Sequence, residues 1–140
     1  MGIFIASDHA GFELKEKLKA QFDCFDLGPD SDASVDYPDY AKKLCERVLE
    51  DDSNKGILLC GSGIGMSIAA NRFKGIRAAL VNDKEIASLS RQHNDSNVLV
   101  LAARFIDSDK AIEIVKTWLE AEFEAGRHQK RIEKINTNCA

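Results

Sequence analysis

The sequence predicts an α/β fold built on a parallel sheet, on three observations. Short apolar runs rich in Ile, Val, Leu and Phe recur along the chain, and amphipathic helical patterns fill the intervals between them. No internal repeat, low-complexity tract or Pro/Gly-rich linker divides the 140 residues. A chain that alternates in this way returns over its sheet by crossovers, so the strands run parallel and helices cover both faces.

The first strand is Ile3–Ala6, and "SDHAGFELKEKL" after it opens a helix with Leu14, Leu18 and Phe22 on one stripe. Cys24–Leu27 is the second strand. The next helix begins near Pro38, a residue suited to a first helical turn, and puts Ala41, Leu44, Cys45, Val48 and Leu49 on one face. Ile57–Cys60 is the third strand and runs straight into Gly61, Gly63 and Gly65, from which a third helix starts. Ile76–Val81 follows, then a helix at "NDKE", where Asn82 and Glu85 have capping-box spacing. Val98–Ala102 is the fifth strand. The fifth helix spans 108–125 with Ile112, Val115, Leu119 and Phe123 facing inward and Gly126 suited to its stop, and a short basic helix, "RHQKRIEKI", ends the chain. The expected architecture is a single Rossmann-like α/β/α domain over residues 1–140, with a five-stranded parallel sheet and an extended C-terminal helical segment.

Composition narrows the function. With 44% hydrophobic and 30% charged residues the chain is that of an ordinary soluble globular protein. A net charge of -4 argues against general attraction to nucleic acid or anionic membrane, so any anion must be captured locally. No apolar stretch reaches membrane-spanning length and no secretion signal is visible, which makes the cytoplasm the expected location. The four cysteines, Cys24, Cys45, Cys60 and Cys139, show no CxxC spacing; neither a zinc site nor a dithiol pair is expected.

Ligands of open parallel sheets bind beyond the carboxyl ends of the strands. That rule gathers "SDH", "CGSGIG" and "AAR" on one edge. The glycine loop lacks the Lys-Ser/Thr of a P-loop, and Met66 stands where the dinucleotide fingerprint needs glycine, so nucleotide binding is a weak reading. What remains is either a plain strand-to-helix turn or an anion cradle of backbone N–H groups at a helix start. Cys24 and Cys45 read as small core hydrophobes. Cys60 differs, because at a strand end before a helix start the local positive charge favours a thiolate, either nucleophile or base. His9 in "DH" and His93 in "HND" are candidates for proton transfer at or near the active edge. Arg127 and Arg131, four residues apart, share one helix face with Lys134 beyond; the pattern is either a solvated basic face or a phosphate clamp.

Taken together, "SDHAGFELK", "VDYPDYA", "LLCGSGIGMSIAANR", "GIRAAL", "SRQHNDSNVLVLAAR" and "GRHQKRI" resemble the ribose-5-phosphate isomerase B family, which is grouped with galactose-6-phosphate isomerase subunits. The resemblance runs through nearly the whole chain in order. It implies interconversion of ribose 5-phosphate and ribulose 5-phosphate in the non-oxidative pentose phosphate pathway, with no metal or organic cofactor. It implies that Cys60 moves a proton between C2 and C1 and that His93 assists ring opening. Asp8, His9, Gly61, Ser62, Gly63, Ile64, Gly65, Asn94, Arg127 and Arg131 match substrate-contacting positions, and Arg104 a further phosphate position. The resemblance also implies a homodimer, often paired into a tetramer, in which His93, Asn94 and Arg104 reach the neighbour's site; Ile132 and Ile135 are expected on a docking face. Ser62 departs mildly from relatives with threonine, and keeps the hydroxyl. Some relatives use a loop carboxylate as base; Met66 stands at that position here, which favours the thiol.

Two other readings stay open on the sequence. One is an isomerase for a six-carbon sugar phosphate such as allose or galactose 6-phosphate. The other is a noncatalytic sugar-phosphate binding module on the same fold.

Overall fold

A computed structural model describes residues 1–137; Cys139 lies outside the described residues. The strands are β1 (Ile3–Ser7), β2 (Phe25–Asp26), β3 (Lys55–Cys60), β4 (Ala78–Leu80) and β5 (Val98–Ala102). The helices are α1 (Phe12–Lys19), α2 (Tyr37–Val48), α3 (Ile64–Ala70), α4 (Lys84–Gln92), α5 (Ser108–Glu120) and α6 (Arg127–Thr137). All five strands pair in parallel in the order β2-β1-β3-β5-β4. The central strands β3 and β5 carry uninterrupted apolar sequence because both of their faces are covered.

One face packs Phe4, Ala6, Leu58 and Val100 against α2 and α3; the other packs Ile5, Ile57, Leu59, Leu99 and Leu101 against α1, α4 and α5. Trp118 is fully buried in the second layer and donates its indole N–H to Ser96 Oγ at 2.9 Å. In register, Ser7 lies opposite Leu59 and Cys60 opposite Ala102, so the ends of β1, β3 and β5 are level. The chain leaves β1 outward to β2 and returns on its other side to β3, which places the switch in strand order beside Cys60.

Several boundaries differ from the sequence-based expectation, each for a local reason. β2 shrinks to two residues because it is an edge strand with one partner, although Leu27 N–H still donates to Ile5 O at 2.8 Å. Leu49 is the C-cap of α2 and 44% exposed, not a core residue. The N-cap of α4 is Asp83, whose carboxylate accepts Ile86 N–H at 2.8 Å, in place of Asn82. α5 stops at Glu120, because Ala121 turns extended and Glu124 N–H is taken by Gln92 O at 3.0 Å. Phe123 therefore lies beyond the helix, and Gly126, at φ 54°, leads into α6 instead of closing α5. Ile132 is buried by its own chain, so of the two isoleucines expected to face outward Ile135 alone does so.

Cys24, Cys45 and Cys60 are free thiols. Burial, aided by the charge of Glu46, pushes the Cys45 thiol from 9.0 up to about 12. The folded state holds this proton where the unfolded chain releases it, so its contribution to stability is full below pH 9 and declines as pH rises toward 12. Each unit is worth about 1.4 kcal/mol. Thermal unfolding of wild type should lose more stability than Cys45→Ala between pH 8 and pH 10.5; parallel declines would contradict the assignment.

Candidate active site

Because the strand ends are level, three short segments meet at one edge. Asp8 and His9 follow β1, Cys60 ends β3 and leads to Gly61, and Arg104 lies two residues past β5. Together with Tyr37, Ser62, Ile64, Gly65 and Phe105 they line an open cleft of about 680 Å³. Backbone bonds lock the two central segments together: Ala103 N–H donates to Cys60 O at 2.9 Å and Arg104 N–H to Gly61 O at 3.0 Å.

The glycines have distinct reasons. Gly63, the N-cap of α3, sits at φ 76°, and a Cβ there would collide with the Leu80 side chain. A Cβ on Gly61 would press on the Arg104 guanidinium at 3.2 Å, and one on Gly65 would meet the Tyr37 ring at 2.6 Å. The backbone is thus bare where the cleft narrows. Ser62 Oγ accepts Ile64 N–H at 3.2 Å, helping to fix the turn into the helix. α3 starts at Ile64, four residues after Cys60, whose buried side chain lines the cleft.

The turn after β1 fixes its own two polar residues. Asp8 is nearly buried, and its Oδ1 accepts Gly11 N–H at 3.0 Å, anchoring the start of α1. His9 Nδ1 accepts Val35 N–H at 3.3 Å. An accepting Nδ1 assigns the ring proton to Nε2, so the neutral imidazole is a donor at that atom.

His93, Asn94, Arg127 and Arg131 are not in this cleft. The helices run back against the strands, so the end of α4 lies at the amino edge of the sheet, and His93 precedes β5 by five residues. Arg104 follows that strand, whose five residues span about 13 Å. Position in sequence cannot tell the two edges apart, and the expectation that "HND" lies near this chain's own active edge is corrected. Arg104 stands over its own chain's Gly61, because β5 is adjacent to β3.

At the amino edge these residues form a second cluster. The His93 and His128 rings stack with centroids 4.3 Å apart and planes 13° apart. Glu124 Oε1 lies 3.7 Å from His93 Nε2 and 3.9 Å from His128 Nε2. Asn94 is exposed and its carbonyl accepts Arg77 Nε–H at 3.1 Å. Arg127 and Arg131 are exposed on α6, one turn apart. Burial, then the nearby His93, Arg127 and Arg131, holds His128 below the ordinary histidine value, with Glu124 alone opposing. Among the described residues, His93, Glu124 and His128 form the one donor group compact enough for a metal ion. Two guanidinium groups beside it oppose a dication, and the arrangement suits an anionic ligand flanked by an imidazole.

Sequence reasoning missed Tyr37, His128 and Glu124. Tyr37 lay inside "VDYPDYA", a motif quoted without a role, and only the fold brings its ring against Gly65. His128 lies between basic residues in the sequence and carried no role there, and Glu124 was assigned to a helix that ends earlier.

Comparison with known proteins gives one answer. Residues 3–135 match the Ribose/Galactose Isomerase family. "Probable ribose-5-phosphate isomerase B" of Mycoplasma genitalium is 50% identical, over 95% of this chain and 92% of that protein. "Ribose-5-phosphate isomerase B" of Escherichia coli is 44% identical over 95% and 93%. A crystal structure of ribose 5-phosphate isomerase from Thermotoga maritima, 52% identical, superposes with a TM-score of 0.93 and covers 97% of both chains. The crystal structure of the Mycoplasma genitalium ribose-5-phosphate isomerase B with bound ribulose-5-phosphate is 46% identical, with a TM-score of 0.91 over 97% of this chain and 94% of that one. With matching sequence, topology and strand-end chemistry, this chain belongs to the ribose/galactose isomerase family.

Proposed function

We propose that the protein interconverts ribose 5-phosphate and ribulose 5-phosphate, with residues 1–140 acting as one sugar-phosphate isomerase domain in the cytoplasm. The observation that carries this reading is the junction of Cys60 with a glycine-turned helix start, which sets a base directly beside oxyanion donors. The Mycoplasma genitalium relative with bound ribulose-5-phosphate supports the substrate. Among the described residues no helix is long and apolar enough to cross a membrane, and the free thiols of Cys24, Cys45 and Cys60 fit a reducing compartment.

In the open-chain aldose, the Cys60 thiolate takes the proton from C2. The C–H electrons form the C1=C2 bond, and the carbonyl electrons move onto O1, where N–H groups of the Gly61–Gly65 loop hold the enediolate. The O2 hydroxyl proton then passes to O1 as C2=O2 forms, and the C1=C2 electrons take the proton back from the Cys60 thiol at C1. Before this, His93 moves protons between the ring oxygen and the anomeric hydroxyl to open the furanose. Asp8, Ser62 and Asn94 hold sugar hydroxyls, while His9, Arg104, Arg127 and Arg131 hold the phosphate. The chemistry asks only for side chains and backbone groups; no cofactor is assigned.

Since His93 and Cys60 occupy opposite sheet edges, a complete site needs two copies of the chain, each giving its amino-edge cluster to the other's cleft. Ile64, Ile68 and Phe105, exposed beside the cleft, and Ile86 and Leu89 on α4 supply apolar surface for such a homodimer, which two-fold pairing can extend to a tetramer. Turnover measured on ribose 5-phosphate against allose and galactose 6-phosphates tests the substrate. The proposal expects the highest kcat/KM on the five-carbon sugar, and a strong six-carbon preference would overturn it.

A further inference from the structure

One fully buried charge takes no part in the chemistry above. The Lys15 side chain is 0% exposed, on a helix face otherwise filled by Leu14 and Leu18. Its Nζ donates to both carboxylate oxygens of Asp26 at 2.8 Å and to Pro29 O at 2.9 Å, which satisfies its three donors. Asp26 also accepts Gly28 N–H at 2.8 Å and Lys19 Nζ at 2.6 Å. Burial alone would raise the Asp26 carboxyl, but hydrogen bonds from Lys15 and Lys19 outweigh it and hold the group below its ordinary value.

A buried ammonium is a poor way to gain stability, since a well-packed apolar pair of similar volume is often as good or better. What methionine or leucine cannot do is reach a backbone carbonyl with a directed donor. Lys15 ties the end of β2 to Pro29, and Gly28 O accepts Ser7 N–H at 3.1 Å, so the start of the 28–36 segment is fixed against the residue before Asp8. The same segment ends with Val35 N–H on His9 Nδ1 and runs into Tyr37, against Gly65. Residues 30–34 between these anchors are exposed and outside any helix or strand. The segment therefore leads into the cleft residue Tyr37 and is held near its two ends, at the start by the buried lysine and at the end by the cleft residue His9.

We propose that Lys15 is a positioning residue for the isomerase cleft: its bridge from Asp26 to Pro29 sets the segment that bonds His9 and leads into Tyr37, both of which line the cleft. The proposal rests on the isomerase reading for its kinetic consequences, but not for its structural ones. Lys15→Met breaks a buried pair and lowers stability, so the decisive variant is Lys15→Met combined with Asp26→Leu, which removes both charges. Lys19→Met is the control, because Lys19 meets Asp26 without touching Pro29.

The double variant should keep near-wild-type thermal stability and kcat, while KM for ribose 5-phosphate rises about tenfold, the scale of one lost charge-assisted contact. Amide exchange at Val35, which Asp26 does not touch, should quicken in the double variant and stay slow in Lys19→Met. Wild-type KM with unchanged Val35 exchange in a folded double variant would overturn the proposal, as would an equal KM rise in Lys19→Met. The exchange readout needs no substrate, so a wild-type protein inactive on ribose 5-phosphate would refute the isomerase reading while the anchor was judged on exchange alone.

Discussion

Cys60→Ala is expected to lower kcat on ribose 5-phosphate by about 10²–10⁴, the range for loss of a positioned general base. KM should change little, because the thiol acts on a C–H bond and contributes to the transition state far more than to the bound sugar. Folding should survive: the side chain is buried, but removing one sulfur costs only ~1 kcal/mol, and the backbone bonds from Ala103 and Arg104 that define the loop involve no side-chain atom of residue 60. In D2O, wild type should place deuterium on the exchanged carbon positions of the sugar, and the variant should not. A variant within tenfold of wild-type kcat would remove Cys60 from the role of base.

His93→Ala should cost about 10²-fold in kcat on the cyclic sugar phosphate. The loss should be several times smaller on an open-chain analogue, which has no ring to open. His93 is the C-cap residue of α4 and partly exposed, with its ring stacked on His128, so truncation removes a ring contact without opening the core. Equal losses on cyclic and open-chain substrates would contradict ring opening and leave His93 a binding residue. Glu124, facing the Nε2 atoms of both histidines, is well placed to orient the imidazole.

The sequence made the sheet legible wherever burial was symmetrical. β5 appears at its expected bounds because a strand covered on both faces is an unbroken apolar run. β2 was overread because an edge strand carries the same residue types with fewer partners. Phe123 kept helical spacing from Leu119, and only the long-range bond from Glu124 to Gln92 shows why the helix ends earlier. Cys60, Asp8, His9 and the glycine loop were visible as a group because each follows a strand, and strand ends share one edge. His93 and the α6 arginines were visible as chemistry but not as place, since no local pattern records which edge a helix terminus reaches. Lys15 and Tyr37 carried no local signal: their roles come from a loop brought back over β1.

The proposed active site is made by two chains, with Cys60 from one and His93 from the other. Its most direct test is to mix the separately inactive Cys60→Ala and His93→Ala proteins, exchange their subunits, and assay ribose 5-phosphate. A shared site predicts recovery to about a quarter of wild-type activity, because half the dimers are mixed and each mixed dimer carries one site with both groups intact. Activity that stays at the level of the separate variants, despite proven subunit exchange, would contradict the two-chain site.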